Sequence, residues 1–194
     1  MPKISPKEFE LLPLRVHSFL AGVPLHDVWA IDLPRWRSRI TLDQFLQTGG
    51  TRPYTLSPVA RALLRTRLFI GRLLGWDREP ASTAWESFTT RMTTADRSRS
   101  LVPAGTREGL FRVVYRFENE QLLEIINRTV HGAALSALVE TENGYRFYFG
   151  VYVRNISRFT PIYMSLIDPF RKRIVYPSLL RSVRASWDRA FGTG

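Results

Sequence analysis

No cysteine occurs in the 194 residues, which removes disulfides, thiolate metal sites, iron–sulfur clusters and cysteine nucleophiles, and fits a reducing compartment. Histidine is limited to His17, His26 and His131. No two lie four apart and no His-Glu-x-x-His occurs, so no metal site is expected. Long apolar runs are missing as well. The first thirty residues hold Lys3, Lys7, Glu8, Glu10, Pro13, Arg15 and Pro24, with nothing like a signal peptide. The most apolar helical stretch, Val59 to Trp76, is broken by Arg61, Arg65, Arg67 and Arg72, too many charges for a bilayer span. The expectation is a soluble, cytoplasmic protein without a transmembrane segment. There is no Gly-x-Gly-x-x-Gly after a strand and no nucleophile elbow, so no nucleotide cofactor or serine-hydrolase triad is expected.

Arginine is what the chain has in excess. Lysine plus arginine number 28 against 17 acidic residues, a net charge of +11, and only Lys3, Lys7 and Lys172 are lysines. Such a charge creates a field that attracts anions. The arginines are spread along the chain with no zinc-finger, RNP-like or basic-region motif, so no specific nucleic-acid partner is expected. The 44% hydrophobic and 12% aromatic content is that of a globular chain, read as one domain over 1–194.

Residues 1–24, punctuated by Pro2, Pro6, Pro13 and Pro24, read as an irregular lead-in segment. Val28 to Ile31 reads as a strand. Thr41, with Gln44 three residues on, starts a short helix in capping-box spacing that Gly49-Gly50 stop. Ser57 and Pro58 start a second helix, ended by Gly75, with Val59, Leu63, Phe69, Ile70, Leu73 and Leu74 toward the core and Arg61, Arg65 and Arg72 opposite. The same pattern fits a helix lying on a membrane surface. A short strand is expected at Ser87–Met92, and 93–108 reads as a mobile loop.

From Leu110 the period becomes two: Phe111, Val113, Tyr115 and Phe117 alternate with Arg112, Val114 and Arg116. Strands follow at Gln121–Val130 and Ala133–Thr141, then an Asn143-Gly144 turn. In the last strand Tyr145, Phe147, Phe149, Val151 and Val153 face one way and Arg146, Tyr148, Gly150, Tyr152 and Arg154 the other. Thr160 and Pro161 open a helix whose stripe runs Tyr163, Leu166, Ile167, Phe170, Ile174, Leu180, Val183, Trp187 and Phe191, with Asp168 re-capping before Pro169 and a bend near Pro177. The order is α+β, an antiparallel sheet wrapped around a long C-terminal helix, as in a helix-grip fold.

Several segments carry a resemblance: 111–120, 127–131, 163–171 with 174–177, and Asp96 to Ser100. They resemble an uncharacterised bacterial domain family of the START-like, polyketide-cyclase-like superfamily, found alone or fused to NAD(P)-binding short-chain-dehydrogenase-like domains. The resemblance implies a cavity for an apolar small molecule, lipid- or polyketide-like, between sheet and C-terminal helix. Its expected lining is Phe111, Tyr115, Phe117, Tyr145, Phe147, Phe149 and Tyr163, with plain core as the competing reading. Polar groups would come from Glu124, Asn127, Tyr148, Tyr152 or Tyr163. No catalytic residue is assigned. An enzyme of the cyclase, dehydratase or isomerase kind would need His131, Glu124 or Asp168 in that cavity. The third reading is an interaction module for an oxidoreductase-like partner, or a homodimer, with Tyr148 and Tyr152 exposed between Arg146 and Arg154. His26-Asp27 suggests a base and its orienter, but neighbours on a loop seldom face each other.

Overall fold

The computed structural model describes residues 3–48, 57–73, 86–127, 130–156 and 159–192. Six strands form one antiparallel sheet: β1 (Leu25–Pro34), β2 (Arg107–Glu108), β3 (Phe111–Arg116), β4 (Glu120–Ile126), β5 (His131–Thr141) and β6 (Gly144–Arg154). Their spatial order is β1-β6-β5-β4-β3-β2. The meander expected from period-two alternation is therefore present, and β1 pairs with β6.

The alternation sorts side chains onto two faces. Tyr145, Phe147 and Leu138 pack with Leu180, Val183 and Trp187 of the C-terminal helix. Tyr148, Tyr152, Leu135 and Ala137 pack on the opposite face with Phe9, Val16, Phe19 and Phe88. That second layer is built by the chain expected to be irregular: α1 (Pro6–Glu10) and α2 (Arg15–Phe19) are short helices. A proline at its first turn favours α1. The free N–H groups of Arg15 and Val16 at the start of α2 donate to the two carboxylate oxygens of Glu120, each at 2.8 Å, so tertiary structure supplies the cap that the local sequence lacks. Tyr148 and Tyr152 are buried under this layer and offer no protein-binding surface.

Other expectations change for local reasons. Helix α3 (Leu42–Gln47) has the Thr41–Gln44 capping box. Helix α4 (Pro58–Leu73) starts as read, with the Ala60 N–H donating to Ser57. Its Ala60 and Gly71 are buried, while Val59 and Phe69 of the expected core stripe are exposed. The expected stops at Gly49-Gly50 and Gly75 lie outside the described residues. Ser87–Met92 is no strand: Ser87 accepts the Thr89 N–H and starts a 3-10 helix at Phe88–Arg91. Within the expected loop 93–108, Thr93 and Asp96 form a reciprocal capping box that starts α5 (Thr94–Arg99).

The C-terminal helix runs as α6 (Phe159–Phe170), a π-helical turn (Arg171–Val175) and α7 (Tyr176–Phe191). Asp168 does not re-cap it; Pro169 lies inside α6. The Tyr176 N–H bonds back five residues to the Arg171 carbonyl. That widened turn lies just before Pro177, which has no N–H for the regular ladder. Trp187, fully buried, fixes α7 to the end of β1 by donating to the Pro34 carbonyl at 3.0 Å.

Candidate functional site

The sheet face beneath the C-terminal helix is covered at both ends and less in the middle. At one end Phe45 of α3 and Leu180, Val183 and Trp187 of α7 close over Leu33, Tyr145, Phe147 and Leu138. At the other, Met164 packs on Val130 and Val153. Between them run two cross-strand rows fixed by register: Trp29–Phe149–Ser136 and Asp27–Val151–Ala134–Leu123. All of these except Asp27 are only half-buried. On this face β5 presents Gly132, Ala134 and Ser136, three small side chains in succession, and so forms a shallow floor. Tyr176 lies over one side, its ring 5.7 Å from that of Trp29 and 5.5 Å from that of Phe149. The Trp29 indole N–H is buried and has no hydrogen-bond partner among the described residues, unusual for an indole in a finished core.

A polar cluster stands at the β1 end of this groove. His26 Nε2 lies 3.0 Å from each carboxylate oxygen of Asp168 and 3.5 Å from Asp27 Oδ2. Arg171 Nη1 and Lys172 Nζ donate to Asp168 at 3.0 and 2.7 Å, and Arg171 also contacts the Tyr176 hydroxyl. Residues 168, 171, 172 and 176 are spaced by three and four, so the helix presents them on one side. Burial raises the Asp168 carboxyl, but the hydrogen bonds from Lys172 and His26 and the charges of His26 and Arg171 outweigh it and hold it below the usual carboxylate range. Burial pushes the Tyr176 phenol above its ordinary value against the pull of Arg171. The Asp27 side chain is fully buried, and neither oxygen is hydrogen-bonded among the described residues.

The seven expected lining residues divide. Tyr145, Phe147 and Phe149 are on the helix-facing side, but Tyr145 and Phe147 are fully packed and only Phe149 borders the groove. Tyr115 and Phe117 belong to the opposite core, stacked at 4.5 Å. A bulge explains this: Val113 pairs with Leu123 but Tyr115 with Leu122. One extra residue in β3 turns everything after it to the other face. Phe111 pairs with Glu108 at the outer edge, and the Tyr163 side chain lies outside the described residues.

Of the expected polar groups, Glu124 and His131 are also on the far face. Glu124 accepts from Ser87 Oγ at 2.5 Å and the Phe88 N–H at 2.6 Å, with His131 Nε2 at 2.7 Å. Phe88 stacks on the His131 ring at 4.1 Å. This arrangement clamps the 3-10 helix to the sheet. The sequence singles out His26-Asp27 and Asp168 separately but does not bring them together, and it leaves Trp29, Lys172 and Tyr176 out of the site. The four-residue spacing of Asp168, Lys172 and Tyr176 was the available signal, but its partners are about 140 residues away.

Among curated proteins none matches this chain. Residues 19–178 match the family described as a protein of unknown function, DUF2867, and with most of its length covered the chain belongs to that family.

Proposed function

We propose that the protein binds an apolar small molecule, lipid- or polyketide-like, in the groove between the sheet and the C-terminal helix, in the manner of a helix-grip, START-like fold. The observation that carries this reading is the half-buried band of Trp29, Phe149, Val151, Ala134 and Leu123 beneath Tyr176. A sheet face with no ligand to receive would gain stability by filling that band with larger side chains, at about 25 cal/mol for each square ångström of apolar surface removed from water. Instead β5 offers Gly132, Ala134 and Ser136. Apolar walls with a few placed polar groups are the usual composition of a small-molecule site; here those groups are the Trp29 N–H and the Asp168–Arg171–Tyr176 cluster.

A second reading, a cyclase, dehydratase or isomerase, draws on His26 beside Asp168 at the groove's end, a pair able to pass a proton. Glu124 and His131, packed on the other face, do not support it.

Native mass spectrometry of the gently desalted protein tests binding. The expected result is a population carrying an extra mass that solvent extraction identifies as apolar. Bare protein that also fails to take up a fatty acid or a hydrophobic dye on titration would overturn the reading.

A further inference from the structure

We infer that His26, Asp27 and Asp168 form a binding site for a divalent transition-metal cation. The inference stands independently of groove occupancy. One atom from each residue, His26 Nε2 and a carboxylate oxygen from each aspartate, lies within 4.8 Å of the others. The tighter separations, 3.0 Å from His26 to Asp168 and 3.5 Å from His26 to Asp27, bracket the edge of about 3.4 Å that four ligands make around a zinc-sized ion with bonds of about 2.1 Å. One imidazole and two carboxylates suit zinc or manganese.

The independent observation is Asp27. Its side chain is fully buried and neither oxygen receives a hydrogen bond from the described residues. A buried carboxylate left this way is expensive unless a cation is supplied. Two ammonium groups stand at ion-pair distance without closing a hydrogen bond to it. Lys3 Nζ stands 3.5 Å from Oδ1 and Lys172 Nζ 3.9 Å from Oδ2, and neither donates a hydrogen bond to it. Both lysines reach solvent, with side chains 56% and 36% exposed, and can withdraw when a doubly charged ion enters between the carboxylates. The π-helical turn begins directly after Asp168-Pro169-Phe170, and such turns recur at functional sites.

Lys172 makes the proposal distinguishable from a plain ion-pair network. As a donor to Asp168 at 2.7 Å it competes with the metal, whereas in a purely structural network it is a partner whose loss brings no metal affinity. The full-length protein is stripped with chelator and titrated calorimetrically with zinc and, separately, manganese ions, alongside Asp27→Asn, Asp168→Asn, His26→Gln and Lys172→Ala, each checked for folding by circular dichroism. The expected result is one ion per chain, at least tenfold weaker in each of the three ligand variants, and equal or tighter in Lys172→Ala. Asp27→Asn removes a buried carboxylate and should fold at least as stably as the metal-free parent, so a melting-temperature rise with metal in the parent that is absent in folded Asp27→Asn gives a second readout. No stoichiometric binding by either parent or Lys172→Ala overturns the site, and so does binding that survives all three ligand substitutions.

Discussion

The guanidinium of Arg15 grips the carboxylate of Asp96 through two parallel bonds of 2.9 Å, from Nε to Oδ1 and from Nη2 to Oδ2, across 81 residues of chain. The pair joins α2 to α5, and Asp96 simultaneously closes the capping box on Thr93. First the Arg15 hydrogen bond, then those from Thr93, outweigh burial and hold the Asp96 carboxyl far below the usual aspartate range.

From that follows a pH dependence. A carboxyl depressed in the folded state contributes stability that is fully present above its unfolded value, near 3.9, and is lost as pH falls toward the folded value. Asp96→Asn should therefore cost about 1.5–3 kcal/mol at pH 7, and the gap to the parent should shrink below about pH 4. Urea unfolding of both proteins across pH 3–7 checks this; a gap that stays constant through that range would contradict it.

Glu124 holds the 3-10 helix to the sheet. Removing its carboxylate strands the buried Phe88 N–H and His131 Nε2 and leaves the Ser87 hydroxyl only its Thr89 partners. Glu124→Ala should lose about 2–4 kcal/mol, since each buried orphan costs about 1–3 kcal/mol before the site relaxes. Hydrogen exchange should show the Phe88 amide deprotected more than the β5–β6 ladder. Uniform loss across the sheet would mean that Glu124 supports the whole fold instead.

The β5–β6 turn needs a glycine at one place for contact reasons. A Cβ on Gly144 would overlap the Leu33 carbonyl oxygen and come to 3.2 Å from the Arg35 N, both backbone atoms of the neighbouring β1 end. Gly144→Ala should cost about 1–3 kcal/mol. In contrast, an added methyl at Gly150 meets the Leu135 side chain at 3.5 Å, an ordinary contact, and Gly150→Ala should be close to neutral. Thermal melts of the two variants make the comparison.

What the sequence made legible was whatever is local. The alternation of Tyr145 to Arg154 needs only the two-residue period, and the Thr41–Gln44 and Ser57-Pro58 starts need only their own neighbours; all three are present. Thr93 and Asp96 carried the same signal, unread because the surrounding polar residues suggested loop. The first twenty residues were not legible, because α2 is capped by Glu120 from 104 residues away. The faces of Tyr115 and Phe117 were not legible either. A single bulge reverses them, and no residue type between Val113 and Tyr115 announces it. The candidate site suffers most, since β1 and the π-helical turn contribute to it from opposite ends of the chain.

Ala134 offers the sharpest discrimination between an occupied groove and a packed core. It sits on the floor between Val151 and Leu123, half-buried beneath the C-terminal helix. If that space were filled by side chains, Ala134→Leu would overpack it and cost about 1–3 kcal/mol. If the space receives a ligand, the added leucine occupies it instead, and burying its extra methylenes gives back about 0.8 kcal/mol each. The expected outcome is a melting temperature at or above that of the parent, together with loss of the apolar ligand in native mass spectrometry and of dye uptake on titration. A destabilised variant that still takes up the dye would place the binding elsewhere on the molecule.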